Sequence, residues 1–459
     1  MASRTRRARY AKRRANRMAK RDHDLTDQQW NELKQAWGGC AYCGASDGPL
    51  QKDTVLAISR GGRYTLSNVV PACRSCNASK CNDEVTGWMR RKKLDEKRFL
   101  VRQYEIHRFM TNPPGPASVV AIDSQQPDPL VVGRIGERLR AGGLVALPTE
   151  TVYGLGCNAL DAGAVAKVFA AKGRPASDPL IVHVDSLEMV DDLVDGVVPD
   201  LAVALADAFW PGPLTMILPK ADRVPDAVTS GGPTVGISMP AHPVARSLIA
   251  AAGVPVAAPS ANRFGRISPT RVEHVVAELG DRIDVIVDGG PCRHGVESTV
   301  VAVSSDSITV LRHGAVTVDR LREVVPVVDA LPVDAAERQA APGHDVRHYS
   351  PGCPTVATIT APSEPFAGRA VFAGYDGPDL PEGWVSHSLG PRDDLIAVAH
   401  DLYENLRAID DEHPDVLVVE LTGAAGLGEA IDDRLSRSAS GVVAIDEASL
   451  VAAIADATS

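Results

Sequence analysis

Residues 147–183 read LPTETVYGLGCNALDAGAVAKVFAAKGRPASDPLIVH, and the architecture of the chain hangs on how this stretch is read. Leu144 to Leu147 form a short apolar run that stops at Pro148, which predicts a buried strand. Asp161 to Ala171 place Val165, Val168 and Phe169 on one helical face, and Leu180 to Val184 supply a second strand. A strand, a polar turn containing glycine, a helix and another strand form the unit from which parallel sheets are built. Polar side chains at the carboxyl end of such a strand face a crevice, which points to Thr149, Thr151 and Tyr153. Lys172 and Arg174, two residues apart beside Gly173 and Pro175, suit a polyphosphate or a carboxylate. The same K-x-R spacing also occurs as a solvated pair in a surface loop. His183 on an apolar strand reads equally as a core histidine or as one facing a ligand.

Outward from this stretch, a chain of 459 residues has room for two to four domains. No apolar run reaches the roughly 18 residues of a membrane span, and the basic first 21 residues precede no apolar core. Neither signal peptide nor anchor is expected, and the expected location is the cytoplasm. The net charge of -10 conceals an asymmetry: residues 1–112 hold 24 Lys and Arg against 11 Asp and Glu, so the acidic excess belongs to the remainder. A basic amino-terminal module facing nucleic acid (tRNA or DNA) on an acidic body accounts for this split, as does a disordered basic tail on an unrelated domain.

Residues 1–30 form the basic tail, with ten Lys and Arg and no acid in the first 21. Cys40 and Cys43 make a C-x2-C, followed 29 residues later by Cys73 and Cys76 in a second one. In a chain without a secretory signal these four read as tetrahedral ligands of a structural zinc ion, not as disulfides. With Asp53-Thr54, Asn68 and Cys76-Asn77-Ala78-Ser79-Lys80 between and after them, residues 37–85 resemble the HNH endonuclease family in its zinc-ribbon form. That family carries a histidine as general base where this chain has Thr54, and a hydroxyl does not serve as a base near neutral pH. Residues 31–112 are therefore expected to bind nucleic acid without cleaving it, with Asp53, Asn68 and Asn77 holding either a metal or only the fold. Glu84 to Met110 reads as one basic amphipathic helix, and residues 113–128 as a linker.

From 129 to 327, strand-like and helix-like runs alternate and seven motifs follow in order: PTETVYGLG, KGRPASDPLIVH, WPGPLTMIL, TVGISMPAHP, APSANRFGRISPT, GVESTVV and LRHGAV. Together they resemble the threonylcarbamoyl-AMP synthase family, with its YrdC-like fold. APGHDVRHYSPGCP (341–354) resembles the linker of the family's long form, within an expected 328–354 segment over the active site. GLGEAIDDRLSRSASG (426–441) resembles the signature of its extra carboxyl-terminal domain, expected over 355–459. The expected fold class is α/β: a twisted mixed sheet with a central cleft, a small Rossmann-like α/β domain after it, and the HNH-like zinc module before it.

The resemblance implies a reaction of ATP, bicarbonate and L-threonine that yields threonylcarbamoyl-AMP and pyrophosphate, with Mg2+ on the phosphates. The product would pass to a downstream tRNA-modification transferase, and no membrane partner is implied. It also implies site residues: Lys172, Arg174, Ser260 and Asn262 as the catalytic set; Asp178, Thr234, Ser268, Arg312 and Tyr349 with them around ATP; Thr151, Tyr153, His183, Ser238, Ala258 and Ser298 around threonine. Two positions depart from the family. Ser238 stands where an arginine is usual, and losing that charge-assisted bond to a carboxylate would weaken binding about 10- to 100-fold unless Arg246, Arg263 or Arg266 reaches in. Asp178 stands where a neutral asparagine is common, and a changed acceptor amine is one reading of the altered pocket. A non-catalytic nucleotide- or RNA-binding regulator, and an HNH nuclease fused to a nucleotide sensor, are the alternatives; Thr54 argues against the second.

Overall fold

Pro148 ends the first strand of the opening stretch, but the chain does not then cross over to form a parallel neighbour. The computed structural model describes residues 25–46, 48–111, 117–328 and 348–458, divided between two compact units, Met1–Gly115 and Pro116–Ser459. The basic tail up to residue 24 and linker residues 329–347 lie outside the described residues.

In the first unit, α1 (Asp27–Trp37) precedes a two-stranded antiparallel sheet of β1 (Gln51–Thr54) and β2 (Val69–Ala72). Three helices follow: α2 (Arg74–Lys80), α3 (Val85–Arg91) and α4 (Glu96–Thr111). The single helix expected over 84–110 is thus broken. Lys93 takes a positive φ of 57°, and the Asp95 carboxylate accepts from the Arg98 amide at 2.9 Å, an N-cap that restarts the helix. The bend lets Trp88 and Met89 from one helix and Phe99 from the next share a core with Tyr42, Val70 and Ala72.

The second unit holds two sheets. In chain order, the strands of the first are β3 (Ser118–Ala121), β4 (Val145–Leu147), β5 (Gly154–Asn158), β6 (Ile181–His183), β7 (Leu214–Pro219), β8 (Thr234–Ser238), β9 (Val256–Ala257), β10 (Val285–Asp288), β11 (Thr299–Val303), β12 (Ile308–Arg312) and β13 (Val327–Val328). Their spatial order is β13-β12-β11-β7-β8-β6-β9-β5-β4-β10-β3. β4 and β5 are antiparallel neighbours, and the two-residue β9 lies between β5 and β6, antiparallel to both. The strand-helix-strand unit is therefore β5, α5 (Ala162–Lys172) and β6, with a strand inserted, and β4 belongs to a hairpin instead.

Helix α5 is positioned by its ends. The Asp161 carboxylate caps the Gly163 amide at 2.8 Å, while Val165, Val168 and Ala171 are buried. At the carboxyl end Gly173 adopts φ 66°, and the Arg174 amide returns to the Phe169 carbonyl at 3.0 Å. That turn buries Lys172 and Arg174 instead of leaving them on a solvated loop; they are 3% and 7% exposed.

The second sheet is wholly parallel, in the order β16-β15-β17-β14-β18, from β14 (Thr355–Thr358), β15 (Ala370–Gly374), β16 (Trp384–Ser388), β17 (Val416–Glu420) and β18 (Val443–Ala444). Its central strands read AVFAG and VLVVE, apolar up to the terminal Glu420 because helices cover both faces. Two of those helices, α6 (Leu395–Asp411) and α7 (Leu427–Ser438), reach the first sheet's domain. Val152, Ile267, Val296 and Tyr349 share one core with Leu402, Leu406 and Leu435, so the two layers are sealed together by apolar burial. Arg266 to Asp410 at 2.8 Å and Arg407 to Glu278 at 3.0 Å add ion pairs along α6. No described helix is long and apolar enough to cross a membrane.

Candidate functional site

The cleft lies at the turn that joins β4 to β5. Thr149 Oγ1 lies 2.9 Å from Thr151 Oγ1 and 2.6 Å from the Val152 carbonyl, a side-chain lock on the PTET turn. Gly154 bridges to Ser260, which sets the SAN triplet across the start of β5. Beneath it, Lys172 Nζ donates to the Ser260 and Asn262 carbonyls, the latter at 2.6 Å. Burial and the neighbouring Arg174 push the Lys172 pKa well down, while the two carbonyls favour the ammonium that donates to them.

Three further groups complete the walls. Arg174 pairs with the Asp178 carboxylate at 2.8 Å and donates to the Pro179 carbonyl at 2.7 Å. Arg312, at the end of β12, donates to the Ser298 carbonyl at 3.0 Å and to its hydroxyl at 3.1 Å; that hydroxyl also lies 2.8 Å from Thr215 Oγ1. His183 lies beside Ser238 in register; its Nδ1 is buried without a hydrogen-bond partner among the described residues, and burial lowers its pKa to about 4, so it is neutral near pH 7. Together these groups surround a cavity of about 60 Å³, room for a few water molecules with Tyr349 seated against it.

Thr151, Arg174, His183, Ala258, Ser260, Ser298, Arg312 and Tyr349 all line this cavity. Lys172 and Asn262 stand behind it: the Asn262 amide donates to the Arg263 and Arg266 carbonyls at 2.8 Å, fixing the loop. Several expected site residues point elsewhere. Tyr153 donates its hydroxyl to the Gly290 carbonyl at 2.7 Å, Ser238 donates to the Leu214 carbonyl at 3.1 Å, and Ser268 donates to Glu297 at 2.6 Å. Thr234 begins β8 whereas Ser238 ends it beside His183, so the strand's length, about 13 Å, separates Thr234 from the His183 wall.

None of the three arginines considered as replacements for a cation at position 238 lines the cavity. Arg246 and Arg263 are exposed, and Arg266 is engaged by Asp410. Glu297 and His348 do line it, although sequence reasoning passed over them. The signal for Glu297 was a lone carboxylate inside the apolar GVESTVV run, which a buried cation must answer.

In the first unit the four sulfurs of Cys40, Cys43, Cys73 and Cys76 lie within 4.8 Å of one another, with Cys43 and Cys73 at 3.9 Å. The edge of a zinc–sulfur tetrahedron is about 3.8 Å, so this donor set fits zinc in spacing and chemistry. Beside it, Asp53 is engaged within the protein: the Tyr42 hydroxyl donates to it at 2.7 Å, and the fully buried Lys80 ammonium lies 3.1 Å away. Asn68 bonds the Leu56 and Arg63 carbonyls, and Asn77 donates to Gln51 at 2.8 Å.

A mixed sheet with a cation-walled cleft, closed by an appended parallel α/β layer, defines a two-layered long form of the YrdC-like class. Residues 137–314 match the family model described as "Telomere recombination", 316–440 the one for the threonylcarbamoyl-AMP synthase C-terminal domain, and 40–83 the one for HNH endonuclease. The chain is 42% identical over 318 residues to a threonylcarbamoyl-AMP synthase of Bacillus subtilis, covering 66% of this chain and 92% of that one. It is 39% identical to the Pyrococcus abyssi enzyme of the same name over the same shares. A crystal structure of P. abyssi Sua5 complexed with L-threonine superposes with a TM-score of 0.64 at 35% identity, over 72% of this chain and 99% of that one. The chain belongs to the threonylcarbamoyl-AMP synthase family.

Proposed function

We propose that the chain condenses L-threonine, bicarbonate and ATP into threonylcarbamoyl-AMP, releasing pyrophosphate. The observation that carries this reading is the convergence of Arg174, Arg312 and the Lys172-braced SAN triplet on one cavity, in a chain whose relatives bear that activity in their names. The chemistry needs no side-chain nucleophile. Threonine's neutral amine attacks the bicarbonate carbon, water leaves and a carbamate forms. The carbamate oxygen then attacks the α-phosphorus as pyrophosphate departs. A site for this must align two anions and neutralise charge gathering on the triphosphate. In this reading Arg174 and Arg312 face the phosphates, Lys172 holds the Ser260 and Asn262 backbone in place, and Thr151, His183 and Ser298 border the amino acid.

Magnesium would enter on the phosphate oxygens. Among the residues lining the cavity the one carboxylate, Glu297, is already bonded by Ser268, Tyr403 and Arg434, so the protein offers no acidic cage. The product would serve a transferase that modifies tRNA, in the cytoplasm. The working boundaries are 129–327 for the catalytic domain and 355–459 for the carboxyl-terminal one. The first unit would be a zinc-stapled nucleic-acid binder without nuclease chemistry, supported by the four-cysteine cluster and by Lys80 beside Asp53.

The test is ATP–pyrophosphate exchange with bicarbonate and a panel of amines. Exchange that requires L-threonine and falls at least about 100-fold in Lys172→Ala and Arg174→Ala supports the reading. Equal exchange with amines lacking a carboxylate would show instead that the Ser238 pocket takes another acceptor.

A further inference from the structure

We propose that Arg434 and Tyr403, both from the carboxyl-terminal layer, are positioning residues of the cleft and act through Glu297 and Tyr349. The proposal rests on the carbamoyl-adenylate reading above. Glu297 and Tyr349 line the cavity; Arg434 and Tyr403 do not, yet each is fully buried directly behind them.

The contacts leave Glu297 little freedom. Its Oε1 accepts from Ser268 Oγ at 2.6 Å, and its Oε2 accepts from the Tyr403 hydroxyl at 2.8 Å and from Arg434 Nε at 2.9 Å. The Arg434 guanidinium also lies 5.4 Å from the centre of the Tyr349 ring, and that ring stacks on Tyr403 at 5.8 Å. Arg434 Nη1 donates to Asp433 at 2.7 Å, which fixes the plane of the guanidinium. Tyr349 holds a φ of 60°, a left-handed conformation that a tyrosine keeps only where its surroundings over-determine it. Helix α7 supplies part of that constraint: the Ser438 carbonyl accepts from Ser350 Oγ at 3.1 Å and the Arg437 carbonyl from the His348 amide at 3.3 Å.

The charge arrangement gives Arg434 a purpose beyond packing. An uncompensated carboxylate in this wall would repel both the triphosphate and the carbamate. Burial alone would drive Glu297 toward its protonated form, but Arg434, Arg312 and Ser268 outweigh burial and hold its pKa below the ordinary value. The ionised, charge-balanced Glu297 then anchors the turn whose next residue, Ser298, receives Arg312. Sequence separation hides this arrangement, since Glu297 and Arg434 stand 137 residues apart.

The groups facing Glu297 make a pH profile informative. Tyr349 and Tyr403 have raised pKa values, His348 is lowered to about 3 by burial, and Asp433, beyond Arg434, is held low. With Arg434 present, none of these neighbours titrates between about pH 6 and 9; because Arg434 also holds Asp433 low, a new ionisation in an Arg434 variant belongs to Glu297 where it persists after Asp433→Asn in the same background.

The experiment compares the full-length wild type with Arg434→Met, Arg434→Lys and Tyr403→Phe in pyrophosphate exchange over that pH range. Arg434→Met is expected to lower kcat about 100-fold with little change in KM for L-threonine, and to add a limb in which the rate rises with pH as Glu297 deprotonates. Arg434→Lys, which keeps the charge, is expected within about tenfold of wild type, and Tyr403→Phe to lose about tenfold without the new limb. A folded Arg434→Met protein with the wild-type kcat and pH profile overturns the proposal. If that variant does not fold, full activity in Tyr403→Phe overturns it. Should the wild type itself show no exchange, the functional reading fails, and calorimetry with ATP still decides the coupling: at least about tenfold weaker binding by Arg434→Met supports it, and equal binding rejects it.

Discussion

Asp178 Oδ2 lies 2.8 Å from Arg174 Nη2 in a pair that is almost wholly buried, so the Arg174 guanidinium in the cleft wall is already neutralised by a neighbour four residues on. A polyanion entering the cleft must compete with that carboxylate. Replacing Asp178 by Asn keeps an acceptor but removes the charge. The expected result is ATP binding about tenfold tighter by titration calorimetry. The apo protein should also melt earlier, because Arg174 is left buried with less compensation. Unchanged or weaker ATP binding would show that Arg174 is not the phosphate contact.

Three histidines predict how the fold responds to acid. Burial lowers His183 and His274 to about 4 and His348 to about 3, against an unfolded value of about 6.5. Near pH 5 these three sites by themselves bind about three more protons in the unfolded chain than in the native one. Each group's contribution is fully present above the unfolded pKa and is lost as pH falls from about 6.5 toward the folded value. The melting temperature should hold steady above pH 7 and drop steeply below pH 6. In His183→Gln the slope of stability against pH should shrink by about one proton; an identical slope would place His183 outside this linkage.

Metal analysis should find about one zinc per chain. Cys76→Ser should lose the metal and the cooperative unfolding of residues 25–111, since a four-thiolate site and its fold form together. Pyrophosphate exchange should survive, because the cleft is built within the other unit. With magnesium or manganese the protein should not nick plasmid DNA, given Thr54 and the Lys80 ammonium beside Asp53. Nicking abolished by Asp53→Ala would overturn that last expectation.

Gly295 joins the cleft to helix α6. It has φ 74°, and a Cβ there would sit 2.3 Å from the Ala399 carbonyl oxygen and 2.4 Å from that of His400. Both are backbone atoms that cannot swing aside. Gly295→Ala should cost at least about 2 kcal/mol from strain and displacement of the two layers. Thermal melting would register this, and an unchanged midpoint would mean that the layers part easily.

What was readable in the sequence was local chemistry. The PTET turn, the Lys172–Arg174 pair, the SAN triplet and Arg312 are each a few adjacent residues whose types limit what they can do, and the fold brings them to one cavity or directly behind it. The strand order was not readable. A two-residue strand such as Val256–Ala257 has no periodicity to detect, yet it separates β5 from β6 and turns an apparent parallel crossover into a split one. Nor could alternation along β8 say which of its ends lies beside His183; the structure places Ser238 there and Thr234 at the far end of the strand. The Arg434–Glu297 contact lay beyond reach for a different reason: neither residue's neighbours in sequence mention the other.

The late position of Arg434 bears on how the molecule is made. Synthesis runs from the amino end, so the strands, turns and cations of the cleft all leave the ribosome well before residue 434. Until α7 arrives, the Glu297 carboxylate lacks the guanidinium bonded to its Oε2, and the cover over Val152, Ile267 and Val296 lacks Ile431 and Leu435. A nascent or prematurely terminated chain thus carries every residue that lines the cavity but lacks the charge balance behind it. The fold ties completion of the cleft to the synthesis of helix α7.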